Sequence, residues 1–227
     1  MNRTLSVVRL QLVNKQTFLW VPLLVLGGAL VITMAIFAML PVDGIVGGGA
    51  QAPMWYFLVV GVQSLTLTFP FSQALSVTRR EFYVGTMLTA LLASAALGAI
   101  YVVGGLIEDA TGGFGTGSVF FKVPGVWAQG WAAAGFIYLV LSFAFFQVGF
   151  FCATIYKRFG ALVLTAGMIA VALFLLVGLW VITRLEAWGE VFSWVAGTGV
   201  LGLTLWSLPV LALLALVSYA ALRRALP

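Results

Sequence analysis

The side chains able to do polar chemistry in this chain gather in one apolar stretch, where Gln63, Ser64, Thr66, Thr68, Ser72 and Gln73 surround Pro70. Gln63, Thr66, Pro70 and Gln73 recur at offsets of three, seven and ten and so share one helical face. Amides and hydroxyls of this kind offer hydrogen bonds rather than a nucleophile or a proton relay. Left facing lipid they would go unpaired, so the face should meet other helices or a wet cavity. Two roles stay open for it: interhelical hydrogen bonding, or lining a pathway. Pro70 removes a backbone donor and predicts a kink. Gln147 and Thr165 are isolated polar residues of the same kind.

A second cluster follows at once. Ser76, Val77, Thr78, Arg79, Arg80, Glu81 and Phe82 mix charged and aromatic residues in a short connection. It reads either as a charge anchor or as a docking surface, with Arg79 and Arg80 offered to acidic groups and Phe82 to an apolar cleft. Lys157 and Arg158 form a smaller basic turn between Tyr156 and Phe159.

Other chemistry is excluded. The chain has no histidine, which removes the usual general base and the commonest metal ligand. Neither a Cys/His metal cluster nor a Ser-His hydrolase can be assembled from it. No metal and no cofactor is expected on this chain, and no nucleic-acid partner. The single cysteine, Cys152, lies in an apolar run and reads as packing. The glycine-rich run from Thr111 to Gly117 is not followed by Gly-Lys-Ser/Thr, so it reads as a flexible exterior loop rather than a phosphate cradle.

These clusters must be positioned by membrane-spanning helices. With 63% hydrophobic and 7% charged residues and a mean hydropathy of +1.16, the 227-residue chain could not cover its apolar surface as a soluble domain. The expected fold is all-α: a single polytopic transmembrane domain of six spans, at about 19–40, 54–75, 82–107, 127–156, 161–183 and 194–222. The first is too long for a cleaved signal and is expected to stay in place. With the N-terminus inside, Arg3, Arg9, Lys15, Arg79, Arg80, Lys157, Arg158, Arg223 and Arg224 fall on the cytoplasmic side, while Lys122 and Arg184 fall outside. The positive-inside rule therefore predicts that both termini are cytoplasmic. Asp43, Glu108, Asp109, Glu186 and Glu190 fall outside, and only Glu81 inside. No charge is expected within the bilayer, which argues against a proton- or ion-coupled carrier.

Taken together, the six spans, the segment before the first of them, the Ser76–Thr86 run and the modest exterior segment before the last span resemble the membrane-spanning permease subunits of ABC-2 type ATP-binding-cassette transporters, over essentially the full length. The resemblance implies an N-terminal interfacial helix at 1–18, for which Leu5, Val8 and Leu12 supply an apolar face and Arg3, Arg9 and Lys15 charge. It implies that Arg79, Arg80, Glu81 and Phe82, and secondarily Lys157 and Arg158, couple the chain to a cytoplasmic ATPase. It also matches 184–197 to a short exterior helix, with Leu185, Trp188, Phe192 and Val195 on one face. The proline-bearing motif that many members carry near the end of the fifth span has no counterpart between Val171 and Thr183.

The function implied is that of a transport subunit, not an enzyme: a permease, mostly seen in exporters, acting on a lipid, drug or peptide in a bacterial plasma membrane. Its partners would be ATP-binding-cassette ATPase subunits, which bind the ATP and Mg, and a second copy or a paralogous permease. Two other readings stay open: the substrate-binding membrane component of an energy-coupling-factor importer, and a non-transporting assembly or immunity protein.

Overall fold

The computed structural model describes residues 7–9, 11, 16–40 and 44–223. Five helices are long and apolar enough to cross a membrane: α1 (Gln16–Met39), α2 (Gly49–Ala74), α3 (Arg79–Ala110), α4 (Trp131–Arg184) and α5 (Trp188–Leu222). No strand occurs among the described residues, where the only β contact is a bridge between Val46 and Val119.

Five helices correspond to six predicted stretches because α4 is not one rod. As a straight helix of 54 residues it would measure about 80 Å, far beyond a hydrocarbon core of about 30 Å. Gly160 interrupts it at φ 85° and ψ 176°, a conformation closed to a residue with a Cβ. The interruption separates an arm at 131–159 from one at 161–184, each long enough for one crossing. The basic turn expected at 157–160 is therefore a single-residue break. α5 is likewise interrupted at Gly199 (φ 66°, ψ 174°), inside the stretch predicted to be continuous from 194. The fourth predicted stretch also starts late: Pro124–Trp127 forms a separate turn, and α4 begins at Trp131.

Near Pro70, where the sequence predicts a kink, the helix changes its winding. Ser64–Thr68 adopts a π-helical turn in which the Phe69 N–H reaches back to the Ser64 carbonyl, and regular helix resumes at Phe69. The turn sits just upstream of the proline, where the lost donor frees the i−4 carbonyl of Thr66.

The core is built from α2, α3 and the first arm of α4, with the end of α5 laid against them. Phe57, Val60, Ala90, Leu97, Phe146 and Phe150 are buried between these helices. Hydroxyls within this core return to their own helix, as Ser142 to the Tyr138 carbonyl (2.8 Å) and Thr154 to the Phe150 carbonyl (2.8 Å), which meets the cost of burying them. By contrast, no residue from 155 through 217 is buried. The second arm of α4 packs on almost nothing in its own chain.

Of the expected interfacial helix, Leu5, Leu12, Arg3 and Lys15 lie outside the described residues, as do Asp43 and Arg224. Val7 and Val8 are buried, and the Gln11 amide donates to the Thr86 hydroxyl of α3 at 2.7 Å. The described part of this segment is thus packed on the bundle.

Candidate functional site

The corner between α2 and α3 is held by its own side chains. Thr78 is the N-cap of α3 and Glu81 its third residue, and together they form a capping box. The Glu81 N–H donates to the Thr78 hydroxyl oxygen (3.2 Å), while the Thr78 N–H (3.0 Å) and hydroxyl (2.7 Å) donate to the Glu81 carboxylate. This arrangement satisfies orphan donors at the helix start, and a carboxylate there complements the macrodipole. Ser76 turns the chain with φ 57°, and the Gln73 amide donates to the Val77 carbonyl at 3.1 Å.

The corner is tied to the far end of the chain. Arg79 donates to the Arg223 carbonyl at 2.8 Å, satisfying one of the last acceptors of α5. Further along, the Tyr83 hydroxyl donates to the Ala215 carbonyl (2.8 Å) and the Gln147 amide to the Leu211 carbonyl (2.8 Å). Carbonyls 211, 215 and 223 share one face of α5, so α3, α4 and α5 are bound together along it.

The seven residues of the corner thus take different parts. Thr78, Glu81 and Arg79 fix the corner, Arg80 is exposed, and Ser76 is exposed at the turn. Phe82, expected to be offered to an apolar cleft of a partner, is fully buried against Phe69, with ring centroids 5.1 Å apart; it is a core residue of this chain. At the second basic turn Lys157 is exposed, and the Arg158 guanidinium lies 4.5 Å from the Phe159 ring centre. Thr78→Ala is expected to lower stability by about 1 kcal/mol, as loss of an N-cap generally does. Thermal melting in detergent measures it, and an unchanged melt would show that the cap carries no stability.

On the polar face of α2 the hydrogen bonds of Thr66 and Gln73 stay within their own segment. The Thr66 hydroxyl donates to the Val62 carbonyl of its own helix (3.0 Å), Gln73 bonds within the turn, and Pro70 is exposed. Gln63 is half-buried beside a cleft of about 160 Å³, lined also by Gln11, Thr17, Ser64 and Thr68. The fully buried polar residues of this stretch, Ser64 and Ser72, lie off that face.

At the opposite end of α3 stands an acid for which the sequence predicts no more than an exterior position. Glu108 is 3% exposed and accepts three backbone N–H bonds, from Phe120 (3.1 Å), Phe121 (2.6 Å) and Lys122 (3.3 Å). The one signal available was its place in the last turn of a helix, where a carboxylate opposes the macrodipole and calls for donors from elsewhere. Around it the Tyr138 hydroxyl (2.7 Å) and Trp127 indole N–H (3.1 Å) donate to the Phe121 carbonyl. Tyr101, stacked on Tyr138 at 4.4 Å, donates to the Ala50 carbonyl. The glycine-rich run expected to be a flexible loop is a coil closed by its own bonds, Gly115 N–H to Thr111 and Gly117 N–H to Gly112, with positive φ from Gly112 to Gly115.

Among the described residues no three His, Cys, Asp or Glu side chains come together as metal ligands. The arrangement is one of hydrogen-bonded joints and apolar surfaces. No protein-family model matches the chain, and no curated protein or solved structure is significantly similar to it.

Proposed function

We propose that this chain is the membrane-spanning subunit of an ATP-driven transporter of the ABC-2 type, crossing the membrane six times with both termini in the cytoplasm and exporting an amphipathic or apolar substrate. Counting the two arms of α4 as separate crossings gives the even number that this orientation requires. Transport is powered by separate ATPase subunits that bind ATP and Mg, and two permease copies, or one with a paralogue, enclose the pathway.

The observation that carries the reading is the corner at residues 76–82. It is short, internally capped and pinned by Arg79 to the end of α5. A push on such a corner is passed to α3 and α5 together instead of being absorbed by a slack loop, which is what coupling to a moving cytoplasmic partner needs. The unburied run from 155 through 217 supports a second subunit, since it leaves the second arm of α4 to be covered from outside the chain. The face of Gln63, Thr66, Pro70 and Gln73 is assigned to the pathway wall.

Co-purification with a tagged candidate ATPase tests the assembly. Arg79→Ala is expected to leave ATPase association in place and lower substrate-stimulated ATP hydrolysis by up to about tenfold, the order of one charge-assisted hydrogen bond, with partial recovery in Arg79→Lys. Undiminished stimulation in a well-folded Arg79→Ala would sink the coupling role. Orientation is tested by replacing Cys152 and introducing Thr111→Cys and Ser76→Cys, both exposed positions. The first is expected to label from outside and the second from inside; the reverse would overturn the topology.

A further inference from the structure

We infer that the seam between the start of α3 and the end of α5 is a binding site for one anionic phospholipid of the cytoplasmic leaflet. A groove of about 560 Å³ runs there, lined by Arg80, Tyr83 and Val84 on one wall and by Ala212, Ala215, Leu216 and Tyr219 on the other. That volume lies in the range of small-molecule sites, roughly 300–1,000 Å³. On α5 the lining spans residues 212 to 219, a rise of about 10 Å, so the groove takes a stretch of acyl chain lengthwise.

Its polarity is that of an amphiphile. The walls are apolar: the Tyr83 hydroxyl is committed to the Ala215 carbonyl and presents its ring, packed on Tyr219 with centroids 5.1 Å apart. Among the described lining residues the one charge is Arg80, which is exposed and bonds to none of the described residues, whereas Arg79 is committed to the Arg223 carbonyl and Arg223 stands over the Tyr219 ring. A guanidinium at the mouth of an apolar groove calls for an anion carrying an apolar tail.

Charge complementarity selects the lipid over a second copy of this chain. A docking copy would have to bring an acid to Arg80. Of the six acids, Glu81 is held in the capping box, Glu108 and Asp109 close the other end of α3, Glu186 and Glu190 stand at the other end of α5 from the groove, and Asp43 falls on the exterior side in the proposed topology. The inference rests on the membrane-spanning reading and its orientation, and not on transport.

The purified full chain in neutral detergent is to be offered phosphatidylglycerol and phosphatidylcholine with identical acyl chains at equal concentration, and lipid retention read by native mass spectrometry. Phosphatidylglycerol is expected to be retained about fivefold over phosphatidylcholine, the order of one arginine at an anionic lipid. Arg80→Gln is expected to abolish the preference, and Ala212→Trp, which fills the groove without altering charge, to lower retention of both lipids. Should Ala212→Trp melt early, Val84→Trp fills the groove from the opposite wall.

Glycerol 3-phosphate, the headgroup chemistry without chains, is expected not to bind. Equal retention of the two lipids, a preference that survives Arg80→Gln, or binding of glycerol 3-phosphate as strong as the lipid would each overturn the site. The measurement requires no ATPase and no orientation. A failed lipid preference therefore leaves the transport reading standing, and a failed ATPase association leaves the lipid site standing.

Discussion

Gly149→Leu is expected to prevent the bundle from forming, and Gly149→Ala to cost about 2–3 kcal/mol, lowering the melting temperature by roughly 5–10 °C. The two chains of backbone at this crossing are in contact. A Cβ on Gly149 would lie 2.0 Å from the Leu58 carbonyl oxygen, and one on Gly61 would lie 2.1 Å from the Phe146 carbonyl oxygen and 2.8 Å from the Phe150 nitrogen. Both collisions are with backbone, so no side chain can swing aside and the helices themselves must separate. Small residues at such a crossing are how helices approach closely where lipid supplies no hydrophobic drive between them.

Separating α2 from α4 would also loosen Phe57, Val60, Phe146 and Phe150, all buried beside the contact. Gly178, on the second arm of α4, has nothing within 4 Å of an added Cβ. Gly178→Ala is therefore expected to be neutral or to stabilise the helix by up to about 1 kcal/mol. Intrinsic tryptophan fluorescence during thermal melting compares the two. Equal melting temperatures for the Gly149→Ala and Gly178→Ala proteins would show that the crossing is not close-packed.

The contrast between these glycines marks what the sequence could and could not say. Hydropathy places long helices because a bilayer demands apolar length, and the ends of α1, α2 and α3 fall within a few residues of the predicted 19–40, 54–75 and 82–107. Gly199, by contrast, looks like any other glycine in an apolar run, and at Gly160 the basic residues Lys157 and Arg158 mark the connection but not the single residue that breaks the helix. Their role as interruptions is set by positive φ, which composition does not encode. Gly61 and Gly149 are invisible for a related reason: close approach is a property of two segments 88 positions apart.

The polar face of α2 shows a different kind of limit. Spacing groups Gln63, Thr66, Pro70 and Gln73, but Thr66 and Gln73 meet hydrogen-bonding needs within their own helix and turn. Serine, threonine and short amides have this local option, so helical spacing alone does not force them against a partner. At the corner between α2 and α3, Thr78 and Glu81 carried a capping signature three residues apart, and the structure gives them to the helix start.

Glu108→Ala is expected to unfasten the bundle at the end where α3 closes, at a cost of about 3 kcal/mol or more. Three backbone N–H groups, those of Phe120 and Phe121 buried and that of Lys122 half-buried, converge on this one carboxylate. A hydrogen bond to a charged group contributes about 1.5–3 kcal/mol, and each donor left without a partner costs about 1–3 kcal/mol. The sum is discounted because a loosened loop would let water reach some of them. Glu108→Gln keeps the shape but turns an NH₂ group toward at least one donor, so roughly half the loss is expected.

Asp109→Asn is the control. It removes the neighbouring ion pair with Lys122, whose side chains are 60% and 38% exposed respectively, and pairs so exposed contribute about 0–1 kcal/mol. The cap also offers a direct readout, because Ser118 is only 2% exposed beneath it. In a chain with Cys152 replaced, Ser118→Cys is expected to resist thiol labelling while Glu108 is present and to label rapidly once Glu108→Ala is added. A melting temperature and a labelling rate both unmoved by Glu108→Ala would mean that the loop is held by Tyr138, Trp127 and the aromatic stack alone. The carboxylate would then be buried without serving the cap that encloses it.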